Sequence, residues 1–417
     1  MNEKTSAKKR TLIVGTAVLT SFITTFMGSA LNLSIPSIDT EFQAGSRTVN
    51  WVITAYMLTC TGLAIPFGYF AAGQNRNRVL KIGTAIFTAA SVLAVFFASI
   101  GMLILFRSLQ GIGAAMIFSS SLPILIDAFP EERRGQVLGY AACANYLGLS
   151  AGPVLGGILN TNFGWRSLFL CTAGISAVSL VCACACLTVH KHDPAEAGSA
   201  ETGSAGRELR ALYQRLLRKN PTFVCSNLAA LISYGANFSI TYLIALYLQV
   251  VLGYSAQHAG LILIAQTAAM AILSPFSGKL SDRFAPQTIA AAGTGICACA
   301  LGIFLFLTER SSVFPVLLGL AVCGIGIAFF STPNTHAVMA AVQKEDQGMA
   351  ASVLSTMRSL GHTGCMLLIT AVVGIYLQNS TLTEADPLLF VKTMRLVFLL
   401  FLLFCILGFF MAKIFRH

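Results

Sequence analysis

GYAACANYLGLSAGPVLGG, residues 139–157, is the stretch that decides the fold. It carries no charge and lies within an apolar run from 136 to 158, long enough for the roughly 20 residues a helix needs to cross hydrocarbon. Gly148, Gly152 and Gly156 recur every fourth residue, which strips one helix face of side chains and lets another helix approach closely. Pro153 removes one backbone donor, frees the carbonyl four residues earlier and bends the helix. So many helix-weakening residues suit a helix in lipid, where the backbone has no water to turn to and neighbouring helices satisfy what a proline frees.

The rest of the chain has the same character. Of 417 residues, 56% are hydrophobic and only 10% charged, against about 25% charged in an ordinary soluble domain. Apolar runs fall at about 11–33, 48–71, 79–99, 102–126, 136–158, 166–188, 222–249, 257–276, 287–308, 312–336, 348–377 and 388–412. The reading is an all-α integral membrane protein with twelve transmembrane helices in two six-helix bundles. A first bundle covers 1–188, a linker 189–221, and a second bundle 222–417. The first run follows Lys8, Lys9 and Arg10 but is too long for a removable leader.

Loop charge predicts direction. With the N-terminus inside, the outer segments hold only Arg47, Arg166, Arg310, Lys392 and Arg395, while Arg107 and Arg358 lie within spans. The remaining 20 of the 27 Lys and Arg fall on inner segments. Both termini are therefore expected in the cytoplasm, in a cytoplasmic membrane. The net charge of +11 is mostly this orientation signal and does not predict a nucleic-acid partner.

Within the linker, Asp193–Gly206 reads as flexible. Leu209, Leu212, Tyr213 and Leu216 then share one face of an amphipathic helix expected to lie on the membrane surface. A weak repeat relates the halves: Gly68-Tyr-Phe-Ala-Ala-Gly-Gln-Asn-Arg76 follows span 2, and Gly278-Lys-Leu-Ser-Asp282-Arg283 follows span 8. A 6+6 arrangement of this kind belongs to secondary transporters, with a substrate site between the halves. Spans 3, 6, 9 and 12 are almost wholly apolar, whereas spans 1, 4, 5, 7, 10 and 11 carry Asn32, Arg107, Gln110, Asn145, Tyr234, Asn237, Tyr242, Asn334, Arg358 and His362. Polar groups in a membrane face the bundle interior or a water-filled cavity. The twelve cysteines read as packing residues, and no metal spacing, nucleotide loop or paired acids point to an enzyme or a cofactor.

On these residues the chain resembles the major facilitator superfamily, in particular its drug:proton antiporter branches. Gly139, Gly148, Gly152, Pro153, Gly156 and Gly157 match the antiporter signature of span 5 in full. Arg107-Ser-Leu-Gln110-Gly matches the Arg-x-x-Gln-Gly motif, whose Arg the resemblance implicates in proton coupling. Trp51-Val-Ile-Thr-Ala-Tyr56 and Gly164-Trp165-Arg166 are similar to the fourteen-helix drug-export branch, although only twelve spans are present. The resemblance implies a conformational role for Gly68, Arg76, Gly278, Asp282 and Arg283. Ala72 and Gly73 stand where the first-half loop motif has its Asp and Arg. Met27 stands where the drug-export branch has an acid ahead of Asn32 and Pro36.

None of the 16 carboxylates falls at mid-membrane: Asp39, Glu41, Glu309, Glu384 and Asp386 are placed outside and the other eleven inside. That argues against lipophilic cations as substrate. Arg107 and Arg358 favour neutral or anionic amphipathic molecules. The expected substrate-cavity residues are Asn32, Tyr56, Arg107, Gln110, Asn145, Tyr234, Asn237, Tyr242 and Arg358. The coupling candidates are Arg107, His362 and Asp127. The expectation is a monomeric secondary transporter exporting small amphipathic molecules in exchange for protons. An uncoupled facilitator or organic-anion carrier is the alternative, and a transport-inactive sensor a weaker one.

Overall fold

The computed structural model describes residues 3–73, 76–97, 99–127, 134–187, 220–281, 283–343, 347–377, 381 and 386–414. The linker from 189 to 219, Asp282, and the side chains of Asp127 and Asn145 lie outside the described residues, as do the surroundings of Gly139.

Twelve helices of 20 residues or more are present among the described residues. They are α1 (Glu3–Ala30), α2 (Trp51–Gly73), α3 (Arg76–Phe96), α4 (Ile100–Asp127), α5 (Arg134–Phe163), α6 (Arg166–Cys186), α7 (Pro221–Leu246), α8 (Ala256–Ser281), α9 (Pro286–Leu305), α10 (Val313–Ala340), α11 (Gln347–Tyr376) and α12 (Pro387–Ile414). Ten of them are long and apolar enough over their described residues to cross a membrane; the other two, α2 and α5, are 23 and 30 residues long. The protein is a multi-pass membrane protein. Large apolar side chains stand exposed along α3 (Val92, Leu93, Phe96), α6 (Leu170, Val178, Val181) and α12 (Leu399, Leu403, Leu407). Such stripes would be an aggregation liability in water and are a lipid-facing surface in a bilayer.

Two helices do not end where their apolar runs end. After α1 the chain tightens into a 3-10 turn, Leu31–Ser34, then resumes as a short helix, Ile35–Phe42, with Pro36 in its first turn. After α7 it widens into a π turn, Tyr247–Val251. Both are departures from i→i−4 bonding that often sit at functional positions.

The described residues form two compact units. The first gathers α1–α6 with the opening of α8, Tyr254–Leu261; the second holds α7, the rest of α8, and α9–α12. In the first, α1 packs on α5 and α6, α4 on α2 and α3, and α3 on α6. In the second, α7 packs on α11 and α12, α10 on α9, and α9 on α12. Ser277 of α8 donates to the Ala328 carbonyl of α10 at 2.7 Å, so α8 meets α10 as α2 meets α4. The same pairing scheme therefore occurs twice.

The repeat extends to single residues. Gly111-Ile-Gly113 in α4 and Gly324-Ile-Gly326 in α10 make matching contacts. A Cβ on Gly111 would lie 2.6 Å from the Tyr56 carbonyl of α2, and one on Gly324 would lie 2.3 Å from the Gln266 carbonyl of α8. A Cβ on Gly113 would lie 2.7 Å from the Gly83 carbonyl, and one on Gly326 would lie 3.0 Å from the Gly293 carbonyl. Each half thus joins three helices backbone to backbone at a Gly-x-Gly step, where only a residue without Cβ fits.

The glycine face of α5 packs on α1. A Cβ on Gly148 would meet the Phe22 carbonyl at 2.6 Å, one on Gly152 the Ser29 Cβ at 2.6 Å, and one on Gly156 the Ala30 Cβ at 2.7 Å. The carbonyl that Pro153 frees is that of Leu149, and the Ser29 hydroxyl donates to it at 3.1 Å. The close approach and the proline are therefore one device: the glycines bring in the helix whose serine satisfies the broken hydrogen bond. Farther along, a Cβ on Gly157 would lie 2.4 Å from the Ala256 carbonyl, at the start of α8.

Candidate functional site

Each unit has its own polar centre. In the first, Arg107 of α4 is 1% exposed. Its Nε donates to the Val52 carbonyl of α2 at 3.0 Å, and its Nη1 to Gln110 Oε1 at 2.7 Å. Gln110 Nε2 passes the chain to Ser91 Oγ of α3 at 2.6 Å. The guanidinium stacks over the Tyr56 ring, 4.1 Å from its centroid, and the Tyr56 hydroxyl points to the Thr24 carbonyl of α1 at 3.4 Å. One arginine thus links α2, α3 and α4 and holds a tyrosine against α1. Among the described residues no Asp or Glu joins this network. An arginine cannot discharge its proton in a protein, so hydrogen bonds and the ring face alone compensate the buried charge.

The structure brings Tyr56, Arg107 and Gln110 together and leaves Asn32 apart. Asn32 sits in the 3-10 turn after α1, 3% exposed, and its Oδ1 has no hydrogen-bond partner among the described residues. At the far end of this helix pair, Glu41 accepts from Trp165 Nε1 at 2.7 Å and pairs with Arg166 at 2.6 Å. That clamp fastens the short helix Ile35–Phe42 to the start of α6. Of the motif residues, Arg76 opens α3, Gly68 lies in α2, and Gly278 lies in α8 with the Thr332 methyl 3.5 Å from where its Cβ would be; Arg283 is exposed.

In the second unit, Tyr234, Asn237 and Thr241 follow one another at helical spacing on α7 and are all partly exposed, while Ala236 and Ser239 between them are buried. This face is aromatic at one end and amide-bearing at the other. The Tyr234 hydroxyl bonds Ser331 Oγ of α10 at 2.7 Å. Its ring stands edge-on to His362 at 5.8 Å, and Arg358 lies 5.0 Å from its centroid. Phe238 covers the other side of His362 at 5.4 Å. Arg358 Nη2 donates to Thr335 Oγ1 at 2.7 Å, whereas its Nε is buried with no partner among the described residues.

At the amide end, Gln266 of α8 donates to Asn237 Oδ1 at 2.7 Å and accepts from Thr241 Oγ1 at 3.2 Å. Cys323 Sγ completes the group, 3.7 Å from Asn237 Oδ1. Tyr242, expected on the cavity side, is fully buried and stacks on Phe238 at 6.2 Å.

Four contributors escape a reading by apolar runs: Thr241, Gln266, Ser331 and Thr335. Thr241 had a visible signal, standing four residues after Asn237 and seven after Tyr234 on one helix face. Gln266 is a lone amide in span 8, and its role depends on which helix it meets.

Comparison with known proteins agrees with this architecture. The family model described as "Major Facilitator Superfamily" matches residues 17–366. The riboflavin transporter RibZ of Clostridioides difficile is 26% identical over 377 residues, covering 81% of this chain and 83% of that one. The multidrug resistance protein Stp of Mycobacterium tuberculosis is 27% identical, covering 80% and 70%. Among solved structures, a bacterial homologue of the human lysosomal transporter Spinster superposes with a TM-score of 0.76 over 98% of both chains at 18% identity. The nucleoside transporter NupG superposes with a TM-score of 0.72 at 15% identity, covering 97% of this chain and 100% of that one. Twelve long helices, two equivalent packing schemes and this match over most of the chain identify the protein as a transporter belonging to the Major Facilitator Superfamily.

Proposed function

We propose that the protein exports small amphipathic molecules, neutral or anionic, across the cytoplasmic membrane by alternating access, in exchange for protons. It acts as a monomer with both termini in the cytoplasm, the orientation that the loop charges favour. The observation that carries the substrate reading is the second unit's α7 face. Tyr234, Asn237 and Thr241 stand beside Arg358 and His362, and no carboxylate joins this group among the described residues. Arg358 has an Nε with no partner among the described residues and lies over the Tyr234 ring, which itself meets His362, a combination suited to a flat apolar body with an electron-rich or acidic edge. The multidrug efflux relatives support export of amphipathic molecules, and the span 5 signature supports antiport.

His362 is the proton carrier in this reading. It is the one imidazole on the face among the described residues, held between Tyr234 and Phe238. Arg107 and Asp127 are the remaining candidates. An uncoupled facilitator or organic-anion carrier is the second reading, favoured by the lack of a carboxylate in both polar networks among the described residues.

Transport in proteoliposomes with an imposed pH gradient tests both. Anionic and neutral amphipaths are expected to move and cations of equal size not to. Dissipating the gradient should stop accumulation. Arg358→Gln should lower transport of anions by about tenfold or more, the loss of one charge-assisted contact, and change neutral substrates by less than about threefold. Preference for cations would overturn the substrate reading, and gradient-independent accumulation the coupling.

A further inference from the structure

The second unit contains a cavity of about 260 Å³ where α7 and α9 begin. Thr222 and Ser226 of α7, Gln287 and Thr288 of α9, Asn334 of α10 and Gly408 of α12 line it. Two helix starts therefore open onto one space. Both begin with proline in the first turn, Pro221 and Pro286. Asn220 caps the first by accepting from the Phe223 N–H, but the second has no side-chain cap. Pro286 has no N–H, and those of Thr288 and Ile289 bond the Ala285 carbonyl at 3.0 and 3.4 Å, so what the start of α9 offers an anion is the positive end of its dipole and the Gln287 backbone.

A second observation points the same way. Asn334 is 2% exposed, lines this cavity, and its Nδ2 has no hydrogen-bond partner among the described residues. A buried amide donor left unmade is costly, so an acceptor is called for. Thr222, Ser226 and Thr288 add hydroxyls, and no acid lines the space among the described residues.

The surroundings indicate where the anion comes from. Arg283 and Phe284 immediately precede Ala285 of the cavity wall, and Arg283 lines a surface groove of about 450 Å³ with Lys279 and Phe276. Phe276 and Phe284 are 61% and 62% exposed. Basic side chains beside exposed aromatics at helix ends form a surface suited to anionic lipid. Gly408 contributes the wall on α12, one of the helices with an exposed apolar stripe.

We propose that this cavity binds the phosphate of an anionic phospholipid headgroup, with Asn334 Nδ2 as donor at the positive end of the α9 dipole and Arg283 and Lys279 as flanking charges. The lining includes none of the transport-face side chains, the two sites meeting where Phe330 packs on Tyr234 at 6.0 Å, and the assignment does not depend on the substrate proposed for that face.

Native mass spectrometry of the purified full-length protein tests the assignment, titrating phosphatidylglycerol and phosphatidylcholine in parallel, with inorganic phosphate as a third arm. One phosphatidylglycerol is expected to bind about tenfold or more tightly over phosphatidylcholine, and millimolar phosphate not to displace it. Asn334→Ala should weaken that adduct about tenfold, the cost of one good donor. Ala291→Leu, which narrows the cavity without touching a polar group, should do the same and carries the test if Asn334→Ala does not fold. Equal retention of both lipids, undiminished binding in a folded variant, or displacement by inorganic phosphate alone would overturn the lipid site.

Discussion

Alanine at Gly152 is expected to lower the free energy of unfolding by about 2–4 kcal/mol, the sum of overpacking and one lost hydrogen bond. The new Cβ would stand 2.6 Å from Ser29 Cβ and 2.8 Å from Ser29 Oγ. Neither atom is the end of a flexible chain, so α1 and α5 must part or the serine must turn. Turning it removes the donor that covers the Leu149 carbonyl exposed by Pro153, in a medium that offers no replacement. A double-variant cycle isolates the two contributions. Ser29→Gly in the Gly152→Ala background removes the clash but not the missing donor, and should recover about half of the loss. Thermal unfolding in detergent provides the measurement. A Gly152→Ala protein that unfolds with the parent would show that this face is not tightly packed.

Methionine at Arg107 is expected to leave the protein folded and transport reduced by at least about 100-fold, equivalent to roughly 2.7 kcal/mol. A buried charge with no acid beside it is an expense for the fold, and an apolar side chain of similar volume is usually tolerated in its place. Both substitutions strip the Val52 carbonyl and Gln110 Oε1 of their donor, and alanine should be worse for stability because it also leaves a hole beside Tyr56. Separating the two substitutions distinguishes a working guanidinium from a scaffold. If Arg107→Met folds and transports like the parent, the arginine serves only to tie α2 to α4.

Much of the fold was legible because lipid removes alternatives. An apolar run of 20 residues can only be a helix, and two runs of six separated by a polar linker imply two bundles. The twelve helices follow the predicted runs, with deviations where the backbone leaves α geometry. Span 1 was read to residue 33, yet α1 ends at Ala30 and passes through a 3-10 turn; span 7 was read to 249, in the middle of the π turn. Neither change alters hydropathy, so an apolarity reading passes over both. The small-residue face of span 5 was equally legible, but its partner was not. Ser29 is an unremarkable polar residue in sequence and becomes the cover for a proline only once α1 lies on α5. The polar centres divide in the same way. Arg107 and Gln110 announce themselves by residue type in an apolar helix. The Gln266–Asn237–Thr241 group needs α8 brought beside α7 before its members share hydrogen bonds.

The paired Gly-x-Gly steps have a mechanical consequence. Where α4 meets α2 and α3, and where α10 meets α8 and α9, backbone rests on backbone, with no long side chain between them to change rotamer and absorb a displacement. These three-helix groups behave as stiff struts. Flexure within each half must then be taken up where the helical ladder is already irregular, at Leu31–Ser34 in one and Tyr247–Val251 in the other.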